Sequence, residues 1–142
     1  MPNPKNTGKR YERELVKLLR QQGFKAERVY GSGAIGTILK GNTQQALEGD
    51  VYVPELNLTI EVKYRSNYPC WLRELQAPIG IEDTEGNRLL VMPGSDLKLL
   101  LRLEVDAWTR SFDTTWFLTL MGKNSVLAVR MNRVGWVLVK KC

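Results

Sequence analysis

Three charged residues occur at a spacing that suits hydrolytic chemistry. Asp50 is followed, after ten intervening residues, by Glu61, and Lys63 comes two positions later. Apolar and polar residues alternate on both sides of a four-residue turn that separates Val53 from Leu58, which predicts a β-hairpin. If Val53 pairs with Leu58, the same register brings Asp50 opposite Glu61, with Lys63 on the same face as Glu61. The sequence therefore predicts two facing carboxylates with a lysine beside them.

Such a pair needs a cation or a proton, because like charges directly opposite each other destabilise a sheet. Mg²⁺ takes one or two carboxylates together with waters and a phosphate oxygen. We therefore predict a Mg²⁺ site on Asp50 and Glu61, in which Mn²⁺ could substitute and the backbone carbonyl of Val62 could be a further ligand. The metal would lower the pKa of a bound water and neutralise charge on a phosphate, and Lys63 would orient that water. A surface hairpin with scattered charges is the alternative that this motif leaves open.

The order acid, gap, acid, any residue, lysine resembles the active site of the PD-(D/E)xK nucleases. Gly49 stands where that pattern has proline. Proline contributes geometry rather than a ligand, so the departure leaves the acidic residues and the lysine in place.

An amphipathic helix is predicted over residues 8–22, ending at Gly23. Its apolar stripe holds Tyr11, Leu15, Leu18 and Leu19, and Glu12 lies at the margin of that stripe. The opposite face gathers basic side chains, namely Arg10, Arg13, Lys17 and Arg20.

The run from Gly8 to Arg20, the pair Gly23-Phe24 and the glycine loop Gly31-Ser32-Gly33 resemble the opening of the archaeal-type Holliday junction resolvases, the Hjc family. The resemblance covers residues 8–64, whereas residues 66–125 match poorly. It implies that Glu12 joins the metal ligands. The catalytic set that it implies consists of Glu12, Ser32, Asp50, Glu61 and Lys63. It also implies a homodimer, because symmetric nicks in a two-fold-symmetric four-way junction require two sites related by a dyad.

The positive charge of the chain is concentrated near its start. Residues 1–40 hold nine Lys or Arg and three acids, whereas the remaining residues hold twelve of each sign. This asymmetry indicates an anionic partner, of which nucleic acid is the commonest. The alternative is that the basic face of the helix is simply solvated. We predict salt-dependent contacts to DNA phosphates from one set of residues: Lys5, Lys9, Arg10, Arg13, Ser32 and Lys40.

The pattern of elements predicts one α/β domain over residues 1–142, with a restriction-endonuclease-like fold in which helices flank a central mixed sheet. Besides the hairpin and the first helix, we expect a strand over residues 24–30, a short helix over 71–76 and a helix capped by Ser95 that reaches about residue 108. Further strands are expected at 88–92, 115–121, 126–131 and 136–139.

Composition excludes several function classes. The chain has no histidine and two cysteines, Cys70 and Cys142, which excludes histidine general bases, zinc sites built on His or Cys, and Cys–His nucleophile pairs. The longest stretch without Lys, Arg, Asp or Glu has eleven residues, from 29 to 39, too short to span a membrane. No apolar signal segment is present at the start, so we expect a cytoplasmic protein, associated with a nucleoid or with viral DNA, and no small-molecule cofactor.

These observations favour a Mg²⁺-dependent, structure-selective endonuclease that resolves four-way DNA junctions by paired symmetric nicks. Two alternatives remain at this point. One is a PD-(D/E)xK nuclease that acts on another DNA structure or sequence, and the other is a non-catalytic nucleic-acid-binding protein.

Overall fold

The computed structural model describes residues 4–29 and 50–142 of the chain. Three α-helices occur in this part: α1 (Pro4–Gln21), α2 (Leu97–Arg102) and α3 (Thr114–Met121). The strands are β1 (Glu27–Arg28), β2 (Val51–Val53), β3 (Leu58–Arg65), β4 (Ile79–Glu82), β5 (Arg88–Pro93), β6 (Thr109–Arg110), β7 (Val126–Met131) and β8 (Gly135–Lys141). Two 3₁₀ turns lie at Pro54–Leu56 and Cys70–Glu74.

All eight strands form one sheet in the order β1-β2-β3-β7-β8-β5-β4-β6. The pairs β3–β7 and β4–β6 are parallel, and the other neighbours are antiparallel. The expected α/β architecture, a mixed sheet with flanking helices compatible with a restriction-endonuclease-like fold, is therefore confirmed.

Helix α1 lies against the β1–β2–β3 end of the sheet because this packing removes its apolar stripe from water. Leu15 and Leu19 are fully buried there, in a core layer shared with Ile60 and Val62 of β3. The helix stops where the sequence predicts, since Gly23 adopts a φ of +98° that side chains other than glycine rarely tolerate.

The other face of the sheet carries a second core layer. Phe117 and Met121 of α3 are fully buried against Leu127 and Val129 of β7. Because side chains alternate along a strand, β7 contributes Val126 and Ala128 to the α1 layer and its intervening residues to the α3 layer. Residues of β3 that point away from α1, such as Glu61, therefore face the α3 side.

The hairpin register predicted from the sequence is confirmed. Val53 pairs with Leu58 and Val51 pairs with Ile60, with a 3₁₀ turn between the strands. The turn ends at Asn57, whose φ of +47° lies in the left-handed region that asparagine tolerates better than most residues.

Several expectations about the rest of the chain were wrong. Residues 115–121 lie in helix α3, because Phe117, Leu120 and Met121 recur at helical spacing on one buried face, a run too short to distinguish from a strand by periodicity. The strand expected at 24–30 contracts to Glu27–Arg28.

The middle of the chain also differs from expectation. Asp96, not Ser95, caps helix α2 by accepting a hydrogen bond from the Leu99 N–H, and the helix ends at Arg102 rather than near residue 108. Strands β4 and β6 were not predicted. In the described part of the chain, no helix is both long and apolar enough to cross a bilayer.

Candidate active site

Asp50 is fixed at the start of the hairpin by both its backbone and its side chain. Its N–H donates to the Ile60 carbonyl at 3.0 Å, which extends the strand ladder by one residue. Its carboxylate oxygen Oδ2 then accepts a hydrogen bond from the Val62 N–H at 2.9 Å. The side chain thus occupies the position that a strand carbonyl would otherwise take, directly beside Glu61.

Glu61 is held through both of its carboxylate oxygens. The Lys63 Nζ lies 3.2 Å from Oε1, and the Asn124 amide donates to Oε2 at 3.0 Å. Asn124 is oriented in turn by the Thr59 hydroxyl, which donates to its Oδ1 at 3.0 Å. The structure therefore places Glu61, Lys63 and Thr59 on one face of β3, as the alternation predicts, and adds a partner from the α3–β7 turn.

Glu12 reaches the same region from helix α1. The Arg28 Nε donates to its Oε1 at 3.1 Å, and both side chains are largely buried. Arg28 belongs to the edge strand β1 and pairs in register with Val51, the neighbour of Asp50 in sequence. This ion pair joins α1 to the edge of the sheet beside the hairpin.

The three carboxyl groups share one electrostatic environment. Burial is the largest cause that raises the pKa of each, and the charge of Asp50 raises the pKa of both Glu12 and Glu61 further. Opposing contributions come from Arg28 at Glu12, from the Val62 N–H, Lys63 and Arg28 at Asp50, and from Lys63 and Asn124 at Glu61. The pKa remains raised at all three, so the local cations and hydrogen-bond donors do not outweigh the effect of burial.

The donor chemistry suits a hard divalent cation. A carboxylate has about four lone-pair sites, so the hydrogen bonds of Asp50 and Glu61 leave capacity for a metal. Among residues 4–29 and 50–142, no group of three His, Cys, Asp or Glu side chains is close enough to hold a metal as it stands. The structure thus brings Asp50 and Glu61 together as a pair, with Glu12 nearby in the same electrostatic environment, while the metal roles of Glu12 and of the Val62 carbonyl stay predictions.

The predicted DNA contacts fall in two groups. Lys9, Arg10 and Arg13 are exposed on α1, and the Arg10 guanidinium lies over the Tyr11 ring at 5.4 Å. Ser32 and Lys40 lie outside the described residues, as does the side chain of Lys5.

A basic groove of about 730 Å³ runs between α1 and the edge of the sheet, close to the Glu12–Arg28 pair. Four cations and one acid are among its lining residues: Arg13, Lys17, Arg20, Glu27, Arg28. Its charge suits an anionic chain, in agreement with the interpretation of the basic helix face.

Comparison with protein families yields one match. Residues 3–71, slightly less than half of the chain, match the model of a family described as phage putative PDDEXK endonuclease. The match supports the PD-(D/E)xK nuclease superfamily. It spans α1, β1 and the hairpin, which together carry Glu12, Asp50, Glu61 and Lys63. A search of curated proteins finds no match.

Two residues that contact the candidate site were not identified from the sequence. Arg28 pairs through its guanidinium with Glu12. Asn124 lies between the two strands expected at 115–121 and 126–131, and nothing in its local sequence points to Glu61, which is 63 positions away. Asn124 reaches Glu61 only because β7 pairs with β3, and this pairing could not be predicted from the local sequence.

Proposed function

We propose that the chain is a Mg²⁺-dependent endonuclease that cleaves branched DNA and resolves four-way junctions by paired symmetric nicks. The observation that carries the proposal is the apposition of Asp50 and Glu61, with Lys63 at 3.2 Å from the Glu61 carboxylate. Nuclease activity is supported by the family match, and the choice of a four-way junction rests on the resemblance of residues 8–64 to the Hjc family.

Each residue of the site has a distinct task in this proposal. Asp50 and Glu61 hold the metal, which when bound supplies an activated water and positive charge for the scissile phosphate. Asp50 is oriented by the Val62 N–H and Glu61 by Asn124, so both carboxylates are directed before any ion binds. Glu12, restrained by Arg28, adds a third negative charge nearby.

Lys63 is suited to act at the phosphate. Its ammonium group contacts Glu61, yet its side chain keeps 35% of its accessible surface, so it can reach a bound substrate. A lysine there neutralises charge that develops on the phosphoryl oxygens and orients the attacking water.

Binding would rest on phosphate contacts made elsewhere on the surface. The exposed cations of α1 and the basic groove beside it offer contacts that do not depend on base identity. Because such contacts release counterions, affinity should fall steeply with salt. A homodimer would supply the second active site that paired nicks require, and sedimentation equilibrium of the protein measures whether it forms.

Cleavage of a synthetic immobile four-way junction tests the proposal. We expect symmetric nicks on a denaturing gel with Mg²⁺ and none with EDTA. Asp50→Ala and Glu61→Ala should abolish cleavage while junction binding remains within a few-fold of wild type. An exposed acid remote from the hairpin, changed as Asp106→Ala, is the matched control and should cleave normally. Normal cleavage by either site variant would refute the assignment.

A second DNA target is the main alternative to the proposed substrate. The family match concerns a phage endonuclease and names no junction, so a PD-(D/E)xK nuclease with another DNA target agrees with it equally well. Competition of a labelled junction against excess linear duplex separates the two. Retention of junction cleavage under competition supports a resolvase, and equal loss supports the other target.

A further inference from the structure

We propose that an arginine rim at the carboxyl ends of β3 and β7, made of Arg65, Arg73 and Arg133, binds the DNA phosphate backbone next to the cleavage site. The inference rests on the proposed nuclease function. It adds a DNA-binding surface outside the basic N-terminal segment, in a part of the sequence whose net charge is zero.

Three segments distant in sequence meet at this rim. Arg65 ends β3, two residues after Lys63, and it pairs in register with Met131 at the end of β7. Asn132 of the β7–β8 turn donates its N–H to the Arg65 carbonyl at 3.4 Å. The Tyr68 hydroxyl donates to the Asn132 carbonyl at 2.5 Å, which attaches the segment that carries Arg73 to the same turn.

All three arginines are exposed, and two of them make a contact that involves no acid. The Arg65 guanidinium donates to the Tyr64 carbonyl at 2.8 Å, and the Arg73 guanidinium lies 5.6 Å from the centre of the Tyr68 ring. Within residues 4–29 and 50–142, neither they nor Arg133 form a salt bridge with an acid. Ordered but uncompensated guanidinium groups bind phosphate with little further loss of side-chain entropy.

The distribution of charge identifies DNA as the occupant. Residues 62–74 and 129–135 together hold five cations and one acid, whereas residues 75–128 hold five cations and seven acids. Beyond residue 61, net positive charge therefore lies in the segments that continue from Lys63 and in Lys140 and Lys141 at the other end of β8. A polyanion that reaches the candidate site would lie along this rim, and the exposed side chains of Ser66, Asn67 and Asn132 add hydrogen-bonding groups for phosphate.

The backbone of Arg133 gives a second, independent indication. Its φ is +69°, a left-handed conformation in which glycine or asparagine is favoured and arginine is strained. Strained residues concentrate at functional sites, where the side chain is retained despite its conformational cost. Here the turn places a long cation at its outermost exposed position.

The salt dependence of DNA binding tests the rim. Affinity for a four-way junction and for a linear duplex would be measured between 50 and 200 mM KCl, in EDTA. The slope of log K against log salt changes by about 0.9 for each phosphate contact, so Arg65→Gln/Arg73→Gln/Arg133→Gln should reduce its magnitude by about 3. Over this fourfold change in salt, wild type should lose about 40-fold more affinity than the triple variant.

A matched control is available away from the rim. Arg102 ends helix α2 and Arg110 lies on the edge strand β6, and both are exposed. Arg102→Gln/Arg110→Gln should change the slope by less than one phosphate contact, about 0.9. The single variant Arg133→Gly should bind DNA more weakly while its melting temperature equals or exceeds that of wild type, because glycine removes the strain.

The outcomes separate the rim from the nuclease. An unchanged slope in the triple variant, with Mg²⁺-dependent cleavage by wild type intact, overturns the rim and leaves the nuclease proposal standing. A lower melting temperature in Arg133→Gly without weaker binding likewise overturns the role of that residue. Absence of both DNA binding and cleavage by wild type overturns the nuclease proposal and the rim with it.

Discussion

Asp50→Asn should change the stability of the protein in opposite directions with and without a divalent metal. The substitution removes a negative charge that raises the pKa of Glu61 on the neighbouring strand. It keeps an acceptor oxygen for the Val62 N–H, so the hydrogen bond at 2.9 Å can persist. The test therefore isolates charge from shape.

Without metal, the variant should be more stable than wild type. Like charges directly opposite each other in a sheet cost up to about 1 kcal/mol. The pKa of Asp50 is raised overall, so the attraction of Lys63 and Arg28 does not outweigh burial of the charge. For a domain of this size about 1 kcal/mol corresponds to roughly 3 °C in melting temperature.

The pH dependence has a definite sign. A carboxyl with a raised pKa binds its proton more tightly in the folded state than in the unfolded state. Stability of the wild type is therefore favoured below the ordinary value of 3.8 and is lost as pH rises through the raised pKa. The advantage of Asp50→Asn should be absent below that window and fully developed at neutral pH.

With metal, the order should reverse. At a Mg²⁺ concentration ten times the dissociation constant, wild type gains about 1.4 kcal/mol, or roughly 4 °C, from ion binding. Asp50→Asn should gain little, because an amide oxygen is a weaker ligand than a carboxylate. Asp106→Asn, an equal change in charge at an exposed site remote from the hairpin, should shift neither melting temperature.

Differential scanning calorimetry at pH 3 and pH 7.5, with EDTA and with Mg²⁺, measures all of these states. If Asp50→Asn melts below wild type in EDTA at neutral pH, the carboxylate stabilises the metal-free fold and the electrostatic reasoning is wrong.

Four further predictions concern Lys63, the Asn124 partner of Glu61 and two parts of the fold. Lys63→Met should lower the cleavage rate about 10²- to 10⁴-fold in single-turnover assays; a loss of DNA affinity that accounts for the whole effect would contradict its place at the phosphate. Asn124→Ala should raise the Mg²⁺ concentration needed for half-maximal cleavage about 10- to 100-fold, because Glu61 loses a donor that orients it; unchanged Mg²⁺ dependence would remove that role. Phe117→Ala should cost about 3 to 5 kcal/mol of unfolding free energy in urea, since the ring is fully buried, and a cost below 1 kcal/mol would contradict its packing. Asp96→Ala should cost about 1 kcal/mol through loss of the cap on α2, with Ser95→Ala as the near-neutral control.

The candidate site could be predicted from the sequence because its main parts are close in the chain. A hairpin with a four-residue turn fixes its own register, so the pairing of Val51 with Ile60 follows from alternation, and Asp50 and Glu61 are the next residues along the two strands. The margin position of Glu12 on α1 follows from helical periodicity in the same way.

The remaining features depend on long-range pairing. Each residue of strand β3 lies beside the residue of β7 that is 66 positions further along the chain, and this parallel pairing brings Asn124 to Glu61 and the β7–β8 turn to Arg65. Helix α3 was mistaken for a strand because eight residues rich in apolar and β-branched side chains fit either period, and only burial against β7 decides between them.

Direct titration with Mn²⁺, followed by electron paramagnetic resonance of the free ion, tests the central claim that the paired carboxylates of Asp50 and Glu61 hold a divalent metal. Wild type should remove at least one Mn²⁺ per chain from solution, with affinity that rises as pH increases through the raised pKa values of these carboxyls. Asp50→Asn/Glu61→Gln should remove none. Equal Mn²⁺ binding by wild type and the double variant would contradict the account.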